Sequence, residues 1–298
     1  MYKIQFQSVL YHNDMSDFIK AMDSLANAVR VARENGHEVE AVASYGDSTP
    51  EPLVSDEKVQ EIKERYKGLM EFKYKFFGFN SGSAKGQSLL AMESDADYIL
   101  VTNPDVIVNP RFLVEMMKPF TDEKVGIVEA RQTPIEHSKE YDVKTLETDW
   151  ATGACNIIRR SVFEEINYYD YETFFMYCDD VDLSWRVRLA GYKIIYQPNA
   201  PVYHAKRLGS GGEWQPTSAE KYYSAEAGLL MAYKWCNDEY LQEILQFFEN
   251  SLNDEMMRAA KAFKKRQEEG RLPERLDPEH KVAKFVNGYY TEHRYTVG

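Results

Sequence analysis

The chain has 298 residues, of which 44% are hydrophobic, and its 36 basic against 48 acidic side chains give a formal net charge of −12. A surface of this charge repels phosphate backbones, and the sequence has no basic stripe with interleaved aromatic residues, which argues against a nucleic-acid partner. No run approaches the roughly 18 apolar residues of a membrane span, and the polar start lacks the features of a signal peptide, so the sequence predicts a cytoplasmic protein.

The N-terminal third of the chain alternates between strand-like and helix-like patterns. Strands are predicted at 4–10, 39–43, 72–76 and 98–101, and helices at 14–36, 56–69 and 84–92. Strands separated by helical segments of about 10–15 residues pair in parallel through crossover helices. The pattern therefore predicts a doubly wound α/β sheet, in which ligands bind beyond the carboxyl ends of the strands.

The remainder of the chain departs from this alternation. A strand is predicted at 152–158, a helix at 180–190 and two further strands at 193–197 and 202–204. From about Thr217 the sequence is rich in helix formers and poor in helix breakers, which predicts a group of helices. We therefore expect an α/β domain with a mixed sheet over 1–215 and a helical region over 216–298, with the boundary near the glycine-rich segment 208–212.

Two polar side chains directly follow the predicted strand at 98–101. Asn103 and Asp105 belong to an Asn-Pro-Asp tripeptide at the carboxyl end of that strand. A carboxylate in this position, with an amide two residues before it, offers the oxygen ligands that Mg²⁺ and Mn²⁺ prefer. The alternative interpretation is an ordinary turn, because Asn, Pro and Asp are common turn-forming residues.

Three carboxylates lie at the start of the predicted helix at 180–190, namely Asp179, Asp180 and Asp182. Helix capping by one acid, and an ion pair between Asp182 and Arg186 four residues later, explain two of them. Adjacent acids also raise each other's pKa, which can leave one of them as a general base for an alcohol. The cluster alone leaves both interpretations open.

Two further candidates lie at the ends of predicted strands. His204 ends the last predicted strand, and Asp47 follows the strand at 39–43. His204 is a candidate ligand near a diphosphate, and the alternative is a structural histidine. Asp47 is a candidate hydrogen-bond acceptor for a nucleotide, and the alternative is a turn residue. The sequence has neither a GxGxxG fingerprint nor a GxxxxGK[ST] loop, which argues against a Rossmann dehydrogenase and a P-loop enzyme.

The order of these motifs along the chain is more informative than any one of them. Asp47 is followed by Asn103-Pro104-Asp105, by WATGACNIIRR at 150–160, by FFMYCDDVDL at 174–183, by Gly191-Tyr192 and by His204. This order resembles the family-2 glycosyltransferases of the GT-A fold, and in particular their bacterial rhamnosyltransferase-like branch. The resemblance covers residues 1–210 and implies a GT-A domain, a doubly wound mixed sheet, with a C-terminal helical extension.

The resemblance implies a role for each matching residue. Asp180 matches the catalytic base, and Asp105 and His204 match the ligands of a divalent metal, Mn²⁺ or Mg²⁺. The residues that match the nucleotide-sugar site are Leu10, Tyr11, Asp47, Asn103 and Asp105. Those that match the cleft for the sugar and the acceptor are Trp150, Thr152, Gly153, Asp179 and Asp182. Lys206 and Arg207 follow His204 and would neutralise the diphosphate of the donor.

Two positions depart from the family pattern. Asn103 replaces the first acid of the DxD metal motif, and Asp179 replaces a glutamate next to the base. The Asn-Pro-Asp form is itself a variant of the rhamnosyltransferase-like branch. The shorter Asp179 side chain and the amide of Asn103 are therefore compatible with the implied activity.

The implied activity is that of an inverting, metal-dependent glycosyltransferase. It would move a sugar from a nucleoside diphosphate, either dTDP-rhamnose or a UDP-hexose, to a hydroxyl of a glycan or lipid-linked acceptor in bacterial surface polysaccharide assembly. The alternatives are a sugar nucleotidyltransferase and a catalytically inactive glycosyltransferase-like binding subunit. The basic segment 256–271 adds a further hypothesis, a peripheral contact with the inner face of an anionic membrane, against the alternative of a solvated helix face.

Overall fold

A computed structural model describes residues 1–136, 139–205, 215–286 and 296–297. Lys206, Arg207 and the glycine-rich segment 208–212 lie outside these residues, so the roles expected of them stay predictions. No described helix combines the length with the apolar composition that crossing a bilayer requires.

The described residues form ten strands and nine α-helices. The strands are β1 (Tyr2–Leu10), β2 (Val39–Asp47), β3 (Glu71–Phe76), β4 (Tyr98–Thr102), β5 (Ile107–Val108), β6 (Val125–Thr133), β7 (Ile135–Glu136), β8 (Cys155–Arg159), β9 (Lys193–Tyr203) and β10 (Thr296–Val297). The helices are α1 (Met15–Glu34), α2 (Asp56–Arg65), α3 (Gly82–Met92), α4 (Phe112–Met116), α5 (Arg160–Glu165), α6 (Asp179–Leu189), α7 (Ser218–Lys234), α8 (Asp238–Glu249) and α9 (Asp254–Glu268).

One mixed sheet of the described residues has the strand order β3-β2-β1-β4-β8-β6-β9-β5. The pairs β1 with β2, β1 with β4 and β2 with β3 are parallel, and the intervening helices α1, α2 and α3 form the crossovers. Strand β8 runs antiparallel to β4 and β6, whereas β9 is parallel to β6. The sheet is therefore doubly wound and mixed, as predicted, and its chain order reverses between β1 and β4, where ligands bind in such folds.

Both ends of the first crossover helix are fixed by residues that the sequence predicts. The Asp14 side chain accepts a hydrogen bond from the Ser16 backbone N–H at the start of α1. Beyond its end, Gly36 has a φ of 84°, a left-handed conformation that glycine adopts without strain. The apolar face between them, which includes Phe18 and Met22, is buried in the main core. This face holds α1 against the sheet.

Three parts of the sheet differ from the prediction. Strand β9 is one continuous strand where the pattern predicts two, because a register shift against β6, opposite Gln197 to Pro201, bends it without ending it. Strand β8 begins at Cys155 rather than at residue 152. Residues 107–136, for which the pattern predicts no element, supply β5, α4, β6 and β7.

The C-terminal helices α7, α8 and α9 confirm the expected helical region after the sheet. Helix α7 starts with a capping box, in which the Thr217 side chain accepts from the Glu220 N–H and the Glu220 carboxylate accepts from the Thr217 N–H. Buried side chains of these helices, among them Trp235 and Phe263, form one core cluster with Trp185 of α6. The helices thus pack directly on the α/β part of the chain, and the domain division at residue 215 stays a prediction.

Candidate functional site

The carboxyl ends of β1, β2 and β4 lie side by side. Leu10, which ends β1, pairs in register with Asp47, which ends β2, and the Ser48 backbone N–H donates to the Leu10 carbonyl at 2.9 Å. At the other side of β1, the Ser8 hydroxyl donates to the carbonyl of Thr102, the last residue of β4. The polar residues that follow β2 and β4 therefore share one edge of the sheet, as predicted.

Asp105 and His204 meet at this edge although they are distant in sequence. Asp105 Oδ1 lies 3.7 Å from His204 Nε2, and Asn103 Nδ2 lies 3.2 Å from the same ring nitrogen. Strand β9 brings the histidine there, because the His204 backbone N–H donates to the Thr133 carbonyl at the end of β6. The His204 side chain is 5% exposed and that of Asp105 is 35% exposed, so the carboxylate is open to a ligand.

A glutamine that the sequence analysis does not identify orients the His204 ring. His204 Nδ1 lies 3.2 Å from Gln132 Oε1. Because an amide oxygen only accepts hydrogen bonds, Nδ1 carries the proton and Nε2 presents its lone pair towards Asn103 and Asp105. A histidine that is oriented through its other ring nitrogen is the usual arrangement at metal sites.

The Asp105–His204 pair fits a divalent cation with an incomplete protein coordination shell. An imidazole nitrogen and a carboxylate oxygen suit Mn²⁺, and two such atoms bound to one ion at about 2.1 Å are roughly 3 Å apart at a right angle. The observed 3.7 Å is longer than that separation, so binding of one ion by both atoms would require the two side chains to move closer together. Across the described ranges, no cluster of three or more His, Cys, Asp or Glu could enclose an ion. Phosphate oxygens of a ligand would have to complete such a shell.

The chain turns sharply into α6 and brings Asp180 against Gly153. Tyr177 and Cys178 have φ values of 66° and 55°, which are uncommon for residues other than glycine. The Gly153 N–H donates to Asp180 Oδ2 at 2.8 Å and the Val181 N–H donates to Asp180 Oδ1 at 2.9 Å. Each oxygen of the carboxylate thus accepts a hydrogen bond from a backbone N–H. Asp180 also lies at the start of α6, where the helix dipole favours negative charge.

The neighbouring carboxyl groups of Asp179 and Asp180 differ in their environment. Burial and the adjacent Asp180 raise the pKa of Asp179 to about 8. Burial also raises the pKa of Asp180, but the backbone N–H groups of Gly153 and Val181 oppose that effect. Asp179 is buried, whereas Asp180 is partly exposed. Of the two, Asp179 therefore holds a proton more readily, and Asp180 is the member that a ligand can reach.

Segment 150–153 runs between the sheet and α6. Trp150 and Thr152 are buried, whereas Gly153 is partly exposed, so of these predicted cleft residues Gly153 is the one that faces the opening. The Thr152 N–H donates to Glu129 Oε1 at 3.0 Å. Glu129 belongs to none of the sequence motifs, although a single acid within the apolar strand β6 is a usable signal of a buried polar contact.

Asp47 lies where the sequence predicts, but its carboxylate is used by its own loop. Oδ1 accepts from the Thr49 N–H and hydroxyl, and Oδ2 accepts from the Leu53 N–H and the Tyr74 hydroxyl. Burial opposes ionisation of Asp47, yet these four donors outweigh it and lower its pKa. Asp47 therefore shapes the loop that follows β2, and its predicted contact with the nucleotide stays a prediction. Tyr11, 49% exposed, is available to a ligand at the end of β1.

Asp182, which the resemblance assigns to the sugar and acceptor cleft, lies at the buried contact between α6 and α7. Its carboxylate is fully buried and lies 2.6 Å from Lys234 Nζ, which also lies 2.6 Å from Asp170. The Trp235 indole N–H donates to Asp182 Oδ1 at 3.1 Å. Arg186 pairs with Asp182 Oδ2 at 2.8 Å, which confirms the predicted pair within the helix. Asp182 therefore ties the end of α7 to α6 behind the site.

The chain resembles known proteins both in sequence and in fold. No protein-family model matches the chain. Rhamnosyltransferase WbbL of Escherichia coli is 26% identical over 190 residues, which cover 51% of this chain and 70% of that protein. The N-acetylglucosaminyl-diphospho-decaprenol L-rhamnosyltransferase of Mycobacterium tuberculosis is 42% identical over 62 residues, which cover 21% of this chain and 20% of that protein.

The solved structure of GalNAc-T7 with UDP, GalNAc and Mn²⁺ matches the fold of the chain. The TM-score is 0.64 at 14% sequence identity, and the match covers 92% of this chain and 56% of that one. At this identity the likeness shows the fold alone. The chain thus has the GT-A glycosyltransferase fold, and its sequence is rhamnosyltransferase-like, as its motifs indicate.

Proposed function

We propose that the chain is an inverting, metal-dependent glycosyltransferase of family 2 that uses a nucleoside-diphosphate sugar as its donor. The observation that carries the proposal is the partly exposed Asp180, held by two backbone N–H groups beside the edge of the sheet where the Asp105–His204 pair lies. The two are linked through a short segment. The Ala154 carbonyl accepts the Asn103 N–H at 3.0 Å, and Gly153, the preceding residue, donates to Asp180.

In the proposed reaction the Asp180 carboxylate takes the proton of the acceptor hydroxyl. As the proton leaves, the hydroxyl oxygen forms a bond to the anomeric carbon, and the bond from that carbon to the phosphate oxygen breaks. The electron pair of this bond leaves with the nucleoside diphosphate. Attack opposite the leaving group inverts the anomeric configuration without a covalent enzyme intermediate. The raised pKa of Asp179 limits the negative charge that this neighbour adds beside the base.

The donor would lie across the carboxyl ends of the strands. Asp105 and His204 would hold the divalent cation, which when bound stabilises negative charge on the diphosphate. The nucleotide would contact Tyr11, the loop that Asp47 organises and the strand end at Leu10. Two adjacent basic residues, Lys206 and Arg207, and the amide of Asn103 complete the set of residues proposed for the donor.

The two named relatives support a rhamnose donor. Both are rhamnosyltransferases, and the mycobacterial protein acts on a lipid-linked sugar according to its name. We therefore propose dTDP-rhamnose as the first donor and a UDP-hexose as the second. The acceptor would be a hydroxyl of a glycan or of a lipid-linked sugar in bacterial surface polysaccharide assembly.

We expect the purified protein to release nucleoside diphosphate slowly from one nucleotide sugar in the presence of Mn²⁺ or Mg²⁺. The reason is that the base and the cation ligands can also activate water as a poor acceptor. A panel of nucleotide sugars, each measured with metal and with a chelator, identifies the donor. Consumption of a nucleoside triphosphate and a sugar phosphate would instead support a nucleotidyltransferase. Binding of a nucleotide sugar without release, even when glycan acceptors are added, would support an inactive binding subunit.

The basic segment 256–271 is largely charge-compensated in the structure, which favours a solvated helix face. Five ion pairs involve its basic side chains, namely Arg258 with Asp254, Lys264 with Glu249, Lys265 with Glu269, Arg266 with Glu226 and Arg271 with Glu269. Attraction to an anionic membrane amounts to about 1 kcal/mol for each uncompensated basic residue near the surface. The paired side chains leave little of that attraction.

We therefore expect sedimentation with anionic vesicles to be no greater than with neutral vesicles at physiological salt. The measurement compares phosphatidylglycerol-containing vesicles with pure phosphatidylcholine vesicles at equal lipid concentration. A preference for the anionic vesicles that disappears at high salt would restore the hypothesis of an electrostatic membrane contact.

A further inference from the structure

A buried ion pair lies behind the proposed base and takes no part in the reaction described above. Glu129 of β6 and Lys139 form a direct salt bridge, and their side chains are 1% and 3% exposed. Taking two charges out of water costs several kcal/mol for each ion, so a buried pair is weak evidence for stability alone. The contacts that the pair makes with the backbone around it indicate a second role.

The two members of the pair form hydrogen bonds with the backbone of segment 150–153 at two positions. The Lys139 ammonium group donates to the Trp150 carbonyl at 2.9 Å and lies 4.0 Å from the centre of the Trp150 ring. Glu129 accepts the N–H of Thr152 at 3.0 Å. The next residue, Gly153, donates its own N–H to Asp180. The ion pair thus holds the backbone of segment 150–153 in place, and this segment in turn holds Asp180, the proposed base.

The same segment also contacts α6 at a second point. The Ala151 N–H donates to the Ser184 hydroxyl at 3.0 Å, and that hydroxyl donates to the Asp180 carbonyl at 2.7 Å. A shift of segment 150–153 would therefore move both contacts of α6 together. Since a buried segment packs at crystal-like density, such a shift requires rearrangement of its neighbours.

Lys139 is also the positive charge that acts on Asp180. Burial raises the pKa of Asp180, and the Lys139 ammonium group is among the effects that lower it. Among the described residues, the titratable groups that act on Asp180 include Asp179 on its own helix, Tyr169 before that helix and Lys139 after β7, which pairs with Glu129 of β6. Lys139 is the cation among them.

We propose that Lys139 is a positioning residue for the base of the transfer reaction, held by Glu129 so that its ammonium group fixes segment 150–153, which in turn holds Asp180. This inference rests on the proposed function, because it assigns the base to Asp180. The two members of the pair have opposite charges, so their removal changes the base in opposite directions. A pair that merely stabilised the fold would not show this difference in sign.

The test compares Lys139→Met with Glu129→Gln in the full chain. Transfer requires ionised Asp180, so the rate falls as pH drops through the pKa of that group. Removal of the cation should move this fall about one pH unit upward, and removal of the anion should move it downward. Glu129→Gln keeps an acceptor for the Thr152 N–H, and Lys139→Arg, which retains the charge, should leave the pH profile close to that of the unmodified protein.

A second readout does not need a substrate. The ¹³C resonance of the Asp180 carboxyl group, assigned by its loss in Asp180→Asn, reports the pKa directly in each variant. Equal profiles for Lys139→Met and the unmodified protein, or shifts of the same sign in both variants, would overturn the proposal. If Lys139→Met does not fold, the sign of the shift in Glu129→Gln decides. An unmodified protein that shows no transfer would contradict the proposed function instead, and the resonance would still test the inference.

Discussion

Replacing Asp180 with asparagine should lower the rate of sugar transfer by about 10³-fold, which is the size of a typical general-base contribution. The amide has nearly the shape of the carboxylate and can still accept the Gly153 N–H, so the site should remain assembled. It cannot take a proton from an acceptor hydroxyl. We expect the affinity for the nucleoside diphosphate, measured by calorimetry with metal present, to change by less than about threefold. In binding free energy, this is less than half of the 1.4 kcal/mol that corresponds to a factor of ten.

The matched control is the same substitution at the preceding position. Asp179 has a pKa of about 8, so at pH 7 it is already mostly protonated, and asparagine resembles the neutral acid in size and charge. Asp179→Asn should therefore lower the transfer rate by less than about tenfold. A transfer rate that survives in Asp180→Asn and is lost in Asp179→Asn would reverse the assignment of the two carboxylates.

The parts of the site that the sequence predicts depend on short stretches of chain. Asn103 and Asp105 follow an apolar strand within three residues of its end, and parallel strands place their following loops at one edge of a sheet. Asp180 lies in the first turn of α6, and the acidic residues in that turn are typical of a helix start. His204 reaches the same edge only because β9 lies beside β6, which local patterns do not reveal; there the resemblance to a family supplies what periodicity cannot.

The parts that the sequence does not predict depend on which side chains are buried. Asp47 and Asp182 match family positions, yet one satisfies its own loop and the other pairs with Lys234 from a helix that no motif covers. Glu129 lies within β6 and Lys139 follows β7, in a region where no element is predicted. A buried charge finds its partner through the packing of distant elements, so sequence spacing gives no direct sign of it.

Replacing His204 with alanine should raise the metal concentration needed for half-maximal transfer by at least about 100-fold. Loss of a residue that only supports a metal ligand typically costs 10- to 100-fold in affinity, and loss of the ligand itself costs more. Gln132→Met is the graded control, because it leaves the imidazole but removes the acceptor of its Nδ1 proton, and we expect about a tenfold increase.

Both variants should be titrated with Mn²⁺ at saturating donor, with the midpoint of thermal unfolding measured alongside. The side chain of His204 is 5% exposed, so a part of any loss could come from packing. A packing defect lowers the unfolding temperature and the rate at every metal concentration, whereas loss of a ligand moves the titration curve and is recovered at high metal. An unchanged titration in His204→Ala would make the histidine structural and leave Asp105 as the protein ligand of the cation. In that case the closeness of the two side chains would reflect only the packing of β9 against β6.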